Sequence, residues 1–160
     1  MLLWQLAERR LIEMAAIFLR ILCPIDFERD SMDALELARQ LAKQNSATVY
    51  LLTVIGIPPA ATALPPVPIF PNPEFEAESR RRLETLAQDK LAGVPHEVFV
   101  ASGNAALEIL NLAAERRIDL IVMGMHGRTG MTRFLLGSVT ERVVRESPVP
   151  VLTIHPKAAE

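Results

Sequence analysis

Short apolar runs alternate with amphipathic segments along almost the whole chain. This alternation restricts the fold more than any other feature of the sequence. LRILCPI from Leu19, TVYLLTVI from Thr48, HEVFVA from His96, DLIVM from Asp119 and VPVLTI from Val149 read as five strands. Between them, apolar residues recur at helical spacing. Asp30 or Ser31 is placed to cap a helix from Met32 to about Gln44, with Leu35, Ala38, Leu41 and Ala42 inward. EFEAESRRRLETLAQDKLA offers Leu83, Leu86 and Ala87 to a second helix. Asn104 is placed to cap a third, through roughly Arg117, with Leu107, Leu110 and Ala114 inward, and a fourth runs from Val139 to about Glu146. Strands joined by crossover helices pair in parallel, and the helices then cover both faces of the sheet. The expected architecture is a single-domain, open α/β sheet.

The bulk properties agree. At 160 residues, half of them hydrophobic, the chain suffices for one domain with a sizeable core. Seventeen basic against nineteen acidic residues leave a net charge of −2, which gives no electrostatic case for nucleic acid or an anionic membrane. Cys23 is the sole cysteine, so there is neither a disulfide framework nor a paired-cysteine zinc site. It lies in an apolar run, where a thiol is a buried bystander rather than a redox centre. The opening MLLWQLAERRLIEMAAIFL carries Glu8, Arg9, Arg10 and Glu13 mid-segment, which suits neither a signal peptide nor a membrane span. Residues 1–18 are an N-terminal extension. Trp4, Ala7, Leu11 and Met14 allow a short helix there, and Met14 serves equally well as a natural start. A cytoplasmic protein is expected. Residues 56–73 hold seven of the twelve prolines and form a long loop, either a lid or partner surface or a tolerated insertion.

GMHGRTGMTRFLLGS, Gly124 to Ser138, concentrates four of the seven glycines where the fourth strand ends and the fourth helix begins. In open α/β sheets, ligands sit outside the carboxyl ends of the strands, where strand order reverses. Glycine amides and a helix N-terminus both present unpaired N–H groups to an anion. The nine residues between Gly127 and Gly137 can loop out and return, so that both glycines face one anion chain. The rival reading is structural. Ser138-Val139-Thr140-Glu141 spells a capping box, with the serine on a helical N–H and Glu141 reaching back. Gly124, Gly127 and Gly137 can also be plain turn glycines. There is no P-loop lysine, no G-x-G-x-x-G after the first strand and no G-x-S-x-G elbow. His96, His126 and His155 have no metal-ligand spacing. His126 lies inside the candidate cradle, where contact with phosphate and exposure to solvent are both open.

The spacing Gly124-x2-Gly127-x9-Gly137-Ser138 resembles the G-x2-G-x9-G-[ST] motif of the universal stress protein family. RILCPIDF resembles that family's first strand, which usually ends in Pro-x-Asp, and SGNAALEILNLAAERRIDLIVMG and LLGSVTERVVRESPVPVLTI resemble its later segments. The likeness runs from about Leu19 to Ile154, and a universal stress protein domain is placed at residues 19–156. It implies a parallel sheet in the order 3-2-1-4-5, with Asp26 facing Gly124 across the reversal. In the family's ATP-binding branch, the positions of Pro24, Ile25, Asp26 and Val54 hold adenine and ribose. Those of Gly124, Gly127, Gly137, Ser138, Val139 and Thr140 hold the phosphates. Met123, His126 and Arg128 are further candidates next to these positions, and for Arg128 pairing with a phosphate and exposure to solvent are both open. Ile25 is often threonine in the family, so one hydroxyl contact is missing here.

The resemblance thus implies an ATP-binding stress or signalling module that takes ATP with Mg²⁺, hydrolyses it slowly at most, and pairs as a homodimer through the fifth strand. On the residues alone, Pro150 is expected to leave the ladder along that edge partial. Two rivals stay open: a nucleotide hydrolase or transferase using Asp26 and Mg²⁺, and a nucleotide-free interaction protein acting through the proline-rich loop.

Overall fold

The computed structural model of the chain describes residues 18–56, 72–125 and 136–155. Within them, β1 (Arg20–Pro24), β2 (Thr48–Gly56), β3 (His96–Gly103), β4 (Leu120–Gly124) and β5 (Val151–Ile154) alternate with α1 (Arg29–Asn45), α2 (Pro73–Lys90), α3 (Ala105–Glu115) and α4 (Ser138–Glu146). The strands form one parallel sheet in the order β3-β2-β1-β4-β5, as expected from the family resemblance. Residues 1–17 and most of the proline-rich segment lie outside the described residues.

Both faces of the sheet are buried, which explains the near-continuous apolar runs of the central strands. On one face, Ile21, Cys23, Val49, Leu51 and Val122 pack under α1 and α2 through Ala34, Leu35, Ala38, Leu83 and Ala87. On the other, Leu22, Leu52, Ile121 and Met123 pack under α3 and α4 through Ala106, Ile109, Leu112 and Val143. Cys23 is fully buried and burial pushes its thiol up, so it behaves as a core residue. Where the chain enters β1, one carboxylate oxygen of Asp119 accepts the N–H groups of Leu19 and Arg20, and the Arg20 guanidinium donates to the Arg116 carbonyl. These bonds pin the amino ends of β1 and β4 together.

Several local expectations shift. In α3 the buried stripe is Ala106, Ile109, Leu112 and Ala113, whereas Leu107 and Ala114 are exposed. The segment AALEILNLAA is apolar around much of its circumference, so periodicity alone selects no face. The stripe with two alanines lets the helix approach the sheet closely. Asn104 does cap α3, accepting the Leu107 N–H. The first helix starts three residues earlier than Met32, with Glu28 at the N-cap position, so Asp30 and Ser31 lie inside its first turn and are not caps.

The two sheet edges differ. Alternation along β3 turns the Val98 carbonyl outward, and Arg80 of α2 donates to it at 3.4 Å. Along the β5 edge, the Pro150 and Ile154 carbonyls accept from Ile121 of β4 and from Met125 just beyond it, so Pro150 faces inward. The expectation that Pro150 depletes the outer edge is therefore corrected. The outer edge carries the backbone groups of Val151 and Thr153, and among the described residues no side chain bonds to them.

Replacing Ile109 by Ala should lower unfolding free energy by about 2–5 kcal/mol, as for other buried aliphatic truncations. Leu107→Ala, on the exposed stripe, should stay within about 0.5 kcal/mol. Urea unfolding of both variants checks the assignment; equal losses would reverse it.

Candidate functional site: a cleft at the strand-order reversal

The cleft follows from one proline. Alternation assigns the backbone groups of Ile21, Cys23 and Ile25 to the β2 side of β1, and those of Leu22 and Pro24 to the β4 side. The Leu19 carbonyl accepts from Thr48 and the Ile25 N–H donates to the Leu52 carbonyl on the β2 side. Pro24 has no N–H to give to β4. The β1–β4 register accordingly pairs only Ile21 with Leu120 and Leu22 with Ile121, while β1 stays paired with β2 through Pro24 and Leu52. Past Leu22 the two strands part.

A cavity of about 320 Å³ opens at this fork. Ten of the thirteen residues singled out from the sequence line it: Pro24, Ile25 and Asp26 after β1, Val54 on β2, Met123 and Gly124 on β4, and Gly137, Ser138, Val139 and Thr140 at the start of α4. His126, Gly127 and Arg128 lie outside the described residues. The cavity is also lined by Ser31, Leu52, Gly56, Ala105 and Ile109, which the sequence reading missed. A signal for them existed. Leu52 and Gly56 flank Val54 at a spacing of two, on the same face of the strand. Ser31 and Ala105 lie in the first turns of helices that follow β1 and β3, and those helices start at the same edge of the sheet.

The lining has two chemical characters. Ile25, Leu52, Val54, Ala105, Ile109 and Met123 form an apolar slot contributed by the strands and α3. The first turn of α4 supplies the polar end. Its N-cap is Gly137, which has no side chain with which to cap, so the N–H groups of Ser138, Val139 and Thr140 have no acceptor within the helix. This corrects the capping-box reading of Ser138. Ser138 is the first helical residue and exposed, and Glu141 turns outward to Arg145 at 3.5 Å. The loop expected between Gly127 and Gly137 lies outside the described residues, but its flanks are seen. The Gly137 N–H donates to the Met125 carbonyl at 2.9 Å, so Met125 and Gly137 lie side by side.

Gly124 has a packing reason for being glycine. A Cβ there would lie 2.7 Å from the Asp30 Cβ and 2.8 Å from the Asp30 carbonyl carbon. The missing side chain lets the first turn of α1 approach β4, on the face away from the cavity. A side chain at Gly124 would thus run into Asp30, while Asp26 lines the same cavity as Gly124. The Gly124 carbonyl, which alternation turns toward the fork, accepts the buried Thr140 hydroxyl at 3.0 Å. Asp26 Oδ1 accepts the Glu28 N–H at 2.9 Å, fixing the turn into α1 and setting the carboxylate at the cavity wall.

The universal stress protein family profile matches residues 18–155, and the chain belongs to that family. It is 35% identical to the universal stress protein YxiE of Bacillus subtilis, over 86% of this chain and 99% of the relative. It is 32% identical to universal stress protein MJ0531 of Methanocaldococcus jannaschii, over 86% and 82% of the respective chains. Among solved structures, UspA of Lactobacillus plantarum superposes with a TM-score of 0.70 at 22% identity, covering 86% of this chain and 97% of that one. A universal stress protein solved in complex with cAMP superposes with a TM-score of 0.64 at 25% identity, covering 86% and 97%. No helix among the described residues is long and apolar enough to cross a membrane.

Two substitutions separate packing from ligand contact. Gly124→Ala should cost about 1–3 kcal/mol, because the new methyl overlaps the backbone of α1. Ser138→Ala, with no cap to lose, should stay within about 0.5 kcal/mol of wild type. Denaturant unfolding without any nucleotide reads both.

Proposed function

We propose that this chain is an ATP-binding universal stress protein, a homodimeric nucleotide-dependent module for stress response or signalling. The observation that carries the reading is the union, in one cavity, of an apolar slot and an uncapped helix N-terminus. A purine base takes apolar walls, and a phosphate chain takes the free N–H groups of Ser138, Val139 and Thr140 together with the helix dipole. The volume lies at the small end of ligand sites. The relative solved with cAMP supports an adenine nucleotide in this fold. Asp26, Pro24, Ile25 and Val54 hold adenine and ribose in this reading, with Met123 against the base. Gly127, His126 and Arg128 join the phosphate end on the strength of the motif.

The residues present fit a nucleotide-borne Mg²⁺. Magnesium keeps several waters and is usually held by one or two carboxylates plus substrate phosphates. Asp26 is the carboxylate among the described lining residues. When bound, the ion offsets phosphate charge. No motif places a dedicated general base at the site, so in this reading it is a binding module in which hydrolysis is slow at most.

The difference between the two edges supports the homodimer. The β3 edge has a guanidinium on its outward carbonyl, whereas on β5 the outward groups of Val151 and Thr153 have no side-chain partner among the described residues and Leu152 is half-exposed. An unguarded apolar edge is a template for a second strand, and a two-fold contact would close it.

ATP with Mg²⁺ at about 100 times its dissociation constant should add roughly 2.7 kcal/mol to stability. That corresponds to a melting shift on the order of 5–10 °C for a domain of this size. GTP should not reproduce it. Absence of any shift at millimolar ATP rejects the reading.

Thr153→Pro removes an outward N–H without touching the ladder to β4, a place where a strand tolerates proline. Light scattering should show a dimer for wild type at tens of micromolar and a monomer for the variant, with melting little changed. A monomeric wild type refutes the dimer.

A further inference from the structure

Phe27, between Asp26 and Glu28, has φ of 66°. A bulky side chain in the left-handed region is a genuine outlier, and such a residue persists only where its surroundings over-determine it. Three contacts do so here. The residue before it, Asp26, accepts the Glu28 N–H across it at 2.9 Å, which is the bond that forces the turn. Its ring packs against the core cluster under α1 and α2. The guanidinium carbon of Arg82, on α2, lies 3.9 Å from the ring centroid.

Arg82 is not drawn there by default. Its neighbour four residues back, Glu78, is a natural helical ion-pair partner. Glu78 instead pairs with Arg81 at 2.7 Å, and Arg82 makes no ion pair among the described residues. Its charge sits over an aromatic face, an attraction that Arg supplies through both charge and planarity.

We propose that Arg82 is a positioning residue for the nucleotide site: by stacking on Phe27 from α2 it holds the strained turn that sets Asp26 at the cavity wall. Its effect on affinity rests on the reading of Asp26 as a ligand contact. Its effect on the turn does not. Arg82 is not among the lining residues and acts through the ring. Placement of Asp26 is thereby tied to α2, an element that contributes no residue to the cavity.

The experiment measures hydrogen exchange of the Glu28 amide in nucleotide-free protein, and ATP affinity by titration, for wild type, Arg82→Ala, Arg82→Lys, Phe27→Leu and the Arg82/Phe27 double variant. A cation over a ring at an exposed site corresponds to about 2- to 5-fold in an equilibrium. Arg82→Ala should speed Glu28 exchange and weaken ATP binding by about that factor, with exchange at Ile121 in the core unchanged. Lysine, which keeps a cation over the ring, should restore part of both. In the Phe27→Leu background, Arg82→Ala should do nothing more, as expected of two groups acting through one contact. Unchanged Glu28 exchange in Arg82→Ala overturns the proposal. So does faster exchange with wild-type ATP affinity. If wild type binds no ATP at all, the nucleotide reading fails, and Glu28 exchange still decides whether Arg82 holds the turn.

Discussion

The parting of β1 and β4 is the constraint on which the rest of the site depends. A parallel sheet with a complete ladder has no opening at its centre. Here the ladder stops because Pro24 brings no donor to the β4 side, while Ile25 remains bonded to Leu52 on the β2 side. The strand is held on one flank and released on the other. The fork leaves the Gly124 carbonyl, which faces β1, without a strand partner, and a buried carbonyl left unpaired is costly. Thr140 supplies the missing bond from α4. The same contact that satisfies the fork therefore draws the first turn of α4 to the cavity.

Gly124 completes this arrangement from the opposite face. Its missing Cβ admits the backbone of Asp30, so α1 starts close against β4. Two helices thus converge on the end of one strand, one on each face. They differ in what they do with their N-termini. The first turn of α1 contains its own acid, the buried Asp30, and the Ser31 hydroxyl donates back to the Glu28 carbonyl. In α4 the first-turn acid, Glu141, points away to Arg145, and the cap is a glycine. Of the three helix N-termini at the cavity, α3 is capped by Asn104 and α1 carries a buried acid in its first turn, so α4 is the one with neither a side-chain cap nor a buried acid beside its donors.

Much of this was legible in the sequence, and the limits have physical causes. Strand runs bounded by turns located all five strands, because burial on both faces makes them unbroken. Pro24, Asp26 and the glycine spacing located the cleft. What local sequence does not carry is direction. Ser138-x-x-Glu141 has the letters of a capping box, yet the helix starts one residue early because Gly137 already has extended backbone at the N-cap. Pro150 reads as a depleted edge until the register shows that its nitrogen faces β4. The face of α3 was ambiguous because apolar residues occupy both stripes, and only contact with the sheet chooses between them. Gly124 matched a ligand motif, whereas its immediate reason is the approach of a helix distant in sequence order.

A site built at a fork must also fix the loop that crosses its mouth. Between Pro24 and Arg29 the chain turns from strand to helix with no glycine, so the left-handed step falls on Phe27. A glycine there would adopt the same backbone freely, but would fix nothing. Phenylalanine carries strain of about 1–3 kcal/mol and offsets it by burying a ring under Arg82. The Asx bond from Glu28 to Asp26 and the ring beneath the guanidinium then act on adjacent residues of one turn. Rigidity at this turn serves recognition, because a carboxylate held in place before a ligand arrives need not be ordered when it binds.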